Sequence, residues 1–191
     1  MDTDRTTTCC FTGHRPTKLP GGYDERDPRC LALKRSLLRE IETLYLAGFR
    51  RFISGMALGC DLYFAEAVLE LKERYPALIL EAALPFPGQA ERWGELQRTR
   101  WETVLASCDR KTVVQDHYDQ GCMLRRDRYM VDNSSAVLAV YADGPGGTKY
   151  TLDHAAKNEL VILLLDLNDP GRQAIRMEPG TFSSSTPLQF P

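Results

Sequence analysis

Between residues 144 and 157 the chain reads GPGGTKYTLDHAAK, directly after the apolar run AVLAVYA. Residues without side chains, set between a buried strand and a helix, let backbone N–H groups face an anion, and the helix behind them adds the positive end of its dipole. Phosphate is the guest that suits such a turn. Gly146, Gly147 and Thr148 are therefore candidate phosphate contacts. The competing reading is a plain strand-to-helix turn with Thr148 as its cap.

Three more loops carry residue types of the same kind. In CCFTGHRP, Gly13 ends a short β-rich run, and His14 and Arg15 supply donors able to hold a phosphate or carboxylate, or else form solvated surface. In FISGMALGCD, Ser54, Gly55 and Gly59 bracket a turn into a helix whose first turn holds Asp61. That carboxylate serves either as a favourable dipole partner or as an acceptor for a ribose hydroxyl. LPFPG is the third loop. None matches G-x-G-x-x-G or G-x-x-x-x-G-K-[ST], and there is no G-x-S-x-G elbow. His14, His117 and His154 lie far apart with no ligand-type spacing, so no metal site is expected.

These loops need a frame that brings them together. TTTCCF, RRFIS, LILEAAL, KTVVQ, AVLAVYA and VILLLD alternate with amphipathic stretches, the rhythm of an α/β domain with a mainly parallel sheet of about six strands and helices on both faces. In an open parallel sheet all C-terminal strand ends share one edge, where ligands bind. A first helix is expected from Pro28 to Gly48 with Leu31, Leu38, Ile41 and Tyr45 on one stripe. A second follows Gly59, turns Leu62, Ala65 and Leu69 toward the sheet, and ends before Pro76. A third, around AERWGELQRTRWETVLAS, groups Trp93, Leu96, Trp101 and Val104, with Arg100 either packed by its stem or aimed into the ligand cleft. Residues 1–166 form the domain on this reading. Residues 167–191, rich in Pro, Gly and Ser, form an extended or disordered tail.

Composition narrows the partners. A chain of 191 residues with 43% hydrophobic residues can bury a full core, and a formal net charge of -2 gives no basic field for a nucleic-acid backbone. A small ligand fits better. No apolar run approaches the ~20 residues that span a bilayer, and the N-terminus lacks a signal-type pattern, so a cytoplasmic protein without a membrane partner is expected. The six cysteines show no C-x-x-C pair and read as buried, reduced thiols.

Together, FTGHRPTKLPGG, FISGMALGCDLYFAEAV, PFPGQAERW, CMLRRDRYMVDNSS and GGTKYTLDHAAK closely resemble the YpsA-like proteins of the SLOG superfamily, over residues 8 to about 166. The resemblance implies a single Rossmann-like domain and binding of a nucleotide or nucleotide-derived ligand, such as an NAD-related, ADP-ribose-like or mononucleotide molecule, in a sensor or regulator. It implies no established reaction or cofactor. Self-association into a homo-oligomer is expected by the same analogy. SGMALGCD also resembles the DNA-processing protein A family, which implies single-stranded DNA binding as a weaker alternative. MLRRDRYM followed by GGT is similar to the lonely-guy phosphoribohydrolases, which cleave the N-glycosidic bond of a nucleoside monophosphate. Met123, Arg126 and Met130 fit that pattern, with Arg126 as the catalytic candidate. Its glutamate is replaced by Tyr150, a phenol in place of a carboxylate. Asp61 or Asp132 would have to supply the missing charge, and both join the candidate ligand residues.

Overall fold

In the computed structural model, which describes residues 4–182, the six apolar runs are six parallel strands. They are β1 (Thr8–Thr12), β2 (Arg51–Ser54), β3 (Ile79–Leu84), β4 (Arg110–Val113), β5 (Ala136–Tyr141) and β6 (Val161–Asp166). A short β7 (Ile175–Met177) pairs antiparallel with β6, so the sheet order is β4-β3-β2-β1-β5-β6-β7. Five helices connect the strands: α1 (Pro28–Leu46), α2 (Cys60–Arg74), α3 (Glu95–Ala106), α4 (Cys122–Asp132) and α5 (Gly147–Lys157).

Successive strand residues point to opposite faces, so β1 feeds two cores at once. Cys9 and Phe11 pack with Leu33, Leu37 and Phe64 from α1 and α2, and Cys10 packs with Met130, Val137 and Leu152 on the α4 and α5 side. Both faces are covered, which is why β5 and β6 read as nearly unbroken apolar runs. All six cysteines are free, and burial pushes the Cys9, Cys10 and Cys60 thiols far above neutrality.

Three details differ from the pattern in the sequence. On α1 the buried stripe is Cys30, Leu33, Leu37, Ile41 and Leu44, whereas Leu31 is exposed and Leu38 and Tyr45 only flank the core. Apolar neighbours at 37/38 and 44/45 allow two stripes one residue apart, and packing against α2 selects one of them. Helix α3 starts late, because Gly94 is extended at its cap, and Leu96 is 85% exposed. Trp93 still meets Trp101 edge-on, with ring centroids 6.0 Å apart.

The sheet has seven strands where the pattern suggests about six. A three-residue strand is too short to show a period, and β7 is positioned by contacts distant in sequence. Ser36 donates to the Pro170 carbonyl (2.7 Å), and the Ala174 amide donates to Glu40 (3.2 Å). The rest of the expected tail, residues 183–191, lies outside the described residues. Among the described residues no helix is long and apolar enough to cross a membrane.

Candidate functional site

From β1 the chain steps outward through β2, β3 and β4, then crosses back to place β5 on the other side of β1. The loops after β1 and β5 therefore diverge, and such a switch point leaves a crevice at the carboxyl edge of the sheet. A cavity of about 380 Å³ opens there. Its walls come from the β1 loop (Gly13 to Lys18), the start of α2 (Ala57, Asp61), one face of α4 (Met123, Arg126, Asp127, Met130) and the β5 loop (Gly144 to Lys149).

The floor is charged and buried. Arg126 donates through Nε to Asp127 Oδ1 (2.8 Å) and through Nη1 to the Gly55 carbonyl, and Asp61 Oδ2 lies 3.9 Å from Nη1. Only glycine fits at position 55, because a Cβ there would overlap the guanidinium and stand 2.8 Å from Asp61 Oδ2. Burial raises the Asp61 carboxyl to about 6 against the opposing pull of Arg126 and Arg15. Burial also raises Asp127, again opposed chiefly by Arg126. One guanidinium thus serves two carboxylates, and the exposed Arg15 is the next cation.

The roof is the glycine turn. Gly146 has φ 147°, a region that favours glycine, and Gly147 opens α5, so the first turn of an eleven-residue helix, whose leading amides have no intrahelical acceptor, lines the crevice. Thr148 is buried in its first turn. Tyr141 donates to the Gly144 carbonyl (2.7 Å), and the His14 ring stacks on Tyr141 at 5.7 Å. Burial and the nearby Lys18 both lower the His14 pKa, which favours the neutral ring. Lys18 Nζ reaches across the mouth to the Pro145 carbonyl (3.3 Å).

Of the residues singled out by sequence, Gly13, His14, Arg15, Asp61, Arg126, Gly146, Gly147 and Thr148 line this one cavity. Ser54, Gly55 and Gly59 shape the loop beneath it instead of facing it. Ser54 donates to the Asp61 carbonyl (3.0 Å) and accepts from the Met56 amide (3.1 Å). Gly59 caps α2 at φ 91°, and a Cβ there would stand 2.8 Å from the His14 carbonyl. Asp132 falls outside the cavity: it ends α4, ten residues after Cys122, and pairs with His154 at 2.7 Å. The loop after β3 supports from behind, through Gln89, which donates to the Met56 carbonyl (2.8 Å). Arg100 is held by Glu25 and Glu66 away from this cavity.

Asp127, Lys18 and Tyr141 line the cavity without having been marked by motif. Asp127 had a readable signal, since Met123, Asp127 and Met130 follow the i, i+4, i+7 spacing of one helix face. The other two are placed by loop geometry alone.

The family model YpsA, described as the YspA SLOG family, matches residues 9–167. The chain belongs to this family. Among its relatives are a UPF0398 protein from Bacillus pumilus, 28% identical over 88% of this chain and 92% of that protein, and one from Bacillus cereus strain B4264, 30% identical over 83% and 91%. Two solved structures share the fold. DNA processing protein A from Helicobacter pylori, described for its single-stranded DNA binding mode, aligns with TM-score 0.54 at 16% identity over 84% of this chain. The Streptococcus pneumoniae protein aligns with TM-score 0.55 at 11% identity over 83%. This chain spans 65% and 50% of those two chains, and at such identities the likeness speaks for the fold alone.

Proposed function

We propose that the cavity binds a nucleotide or nucleotide-derived ligand, in a protein that acts as a sensor or regulator. The supporting observation is that a glycine turn at a helix N-terminus, two exposed cations (Arg15, Lys18) and two buried carboxylates (Asp61, Asp127) share one switch-point crevice. The turn amides and cations suit the phosphate, and the carboxylate of Asp61 suits a sugar hydroxyl, which donates to an ionised acceptor. Calorimetry with NAD, ADP-ribose and mononucleotides tests the reading. Binding that is lost in Gly147→Asp supports it. No binding of any of them, or an unchanged affinity in that variant, overturns it.

Asp127 favours a second reading, hydrolysis of the N-glycosidic bond of a nucleoside monophosphate. Tyr150 lies outside the cavity, but Asp127 sits beside Arg126 with Oδ2 3.7 Å from where a Cβ on Gly147 would stand. A carboxylate there would stabilise oxocarbenium charge on a ribose whose phosphate rests on the turn. Release of free base, abolished in Arg126→Ala, is its test.

Single-stranded DNA binding comes from the DNA processing protein A neighbours. It requires a basic groove with strongly salt-dependent affinity. Here the carboxyl edge near the exposed Tyr118 carries Asp116 and Asp119, and the net charge is -2. A mobility-shift assay at two salt concentrations separates this reading from the others.

A further inference from the structure

We infer that the ligand is two-headed: a dinucleotide whose second base occupies a separate small cavity behind the β1 loop. This inference rests on the nucleotide reading above. The second cavity, about 180 Å³, is lined by Tyr23, Leu58, Leu62, Leu96, Gln97 and Arg100 among others. A volume below the roughly 300–1,000 Å³ of ordinary ligand sites is too small for a whole nucleotide, yet it suits one heteroaromatic ring. It is an annex to a larger site.

The two cavities stand back to back across one thin wall. Arg15 and Thr17 face the first cavity and Pro16 the second. On the neighbouring segment Ala57 and Asp61 face the first, and Leu58, Gly59 and Leu62 the second. Wall and glycine turn also approach one another, since Lys18 spans the mouth to Pro145. A pyrophosphate would lie between the turn amides and the cations Arg15 and Lys18. The wall itself is closed, with the Cys60 amide donating to the His14 carbonyl (3.2 Å), so the second half of the molecule would pass over its outer rim at the exposed Arg15.

The second cavity is chemically suited to a base. Leu58, Leu62 and Leu96 give apolar faces, and the ring of Tyr23, 62% exposed, stands ready to stack. Gln97 offers both a donor and an acceptor, and its side chain has no hydrogen-bond partner among the described residues. The site is also rigid. Arg100 bonds Glu66 (2.6 Å) and Glu25 (3.1 Å), and Glu25 also holds Lys34 (2.5 Å). That network fixes the segment that carries Tyr23 and neutralises the local charge, which suits an uncharged ring.

Calorimetry of the full chain with NAD and with AMP is the test, alongside the exposed-site variant Tyr23→Ala/Gln97→Ala, whose Tm checks that the fold is kept. The inference expects wild type to bind NAD at least roughly tenfold more tightly than AMP, the factor that one stacked base supplies. The variant should lose that margin and keep its AMP affinity. AMP binding with no gain from NAD, or a margin unchanged in the variant, overturns the inference and leaves the nucleotide reading standing. A variant that changes the oligomeric state in light scattering but not NAD affinity also overturns it, by assigning the cavity to a protein contact. Failure of both nucleotides to bind wild type removes both readings.

Discussion

The guanidinium of Arg126 donates to the carbonyl of Gly55, a residue 71 positions earlier, in a contact too close to admit any side chain at position 55. The loop after β2 and the face of α4 are thereby locked together under the cavity. Gln89 and the Trp101 indole both donate to the Met56 carbonyl, which holds buried Met56 at φ 54°, a strained value for a non-glycine residue. Strain held by two donors directly beneath the cavity is what a preorganised site requires.

Gly55→Ala therefore should act on the floor first. The added methyl must displace Arg126, an overpacking that costs about 1–3 kcal/mol. Urea denaturation should show a lower midpoint with unchanged slope, together with weaker nucleotide binding. A stability and an affinity both equal to wild type would mean that Arg126 is free to move.

Gly147 separates space from charge. A Cβ there meets only Asp127 Oδ2, at an ordinary 3.7 Å. Gly147→Ala should therefore leave Tm close to wild type, whereas Gly147→Asp sets a carboxylate over the anion seat and beside Asp127. A loss of at least tenfold in affinity is expected for the aspartate alone, since removing 1.4 kcal/mol already has that effect. Equal binding by the two variants would place the phosphate elsewhere.

How far the sequence foretells this arrangement depends on the range of the interaction. Strands β1 to β6 and the start of α1 are written locally, in apolar runs and in the Asp27-Pro28 cap, where Asp27 accepts from the Arg29 amide at 2.8 Å. The glycine turn is equally local. Asp132 lies outside the cavity lining because its end of the helix depends on where the helix starts, and α4 begins at Cys122 after a loop without a side-chain cap. The FISGMALGCD pattern marks Gly55 as a ligand contact, whereas its surroundings are set by a side chain 71 residues away, and no local pattern carries that. β7 and the second cavity are likewise products of tertiary packing.

Asp61 gives the site a pH signature. Its carboxyl is raised from 3.8 to about 6 because burial outweighs the attraction of Arg126 and Arg15. Between those values the folded protein binds more protons than the unfolded chain, so stability from this group is fully present below about pH 4 and is lost as pH rises through 6. Asp61→Asn keeps the shape and removes the titration. Tm measured from pH 5 to pH 7 should fall more steeply in wild type than in the variant. Parallel curves would show that Asp61 is solvated or fully paired.

Asp127 distinguishes binding from turnover. Its carboxylate is 3.7 Å from the Cβ position of Gly147, so a phosphate resting on the turn would meet a negative charge that Arg126 offsets only in part. In a pure binding site that charge opposes the anion, and Asp127→Asn, which can still accept from Arg126, should hold or tighten the affinity for a mononucleotide. In a hydrolase the same charge acts on the transition state, and its loss should lower base release roughly 100- to 1,000-fold with little change in affinity. Calorimetry and a base-release assay on the same two proteins read both effects. A weaker affinity in the variant would contradict both, because it would make Asp127 a ground-state contact to the ligand and would move the phosphate away from Gly147.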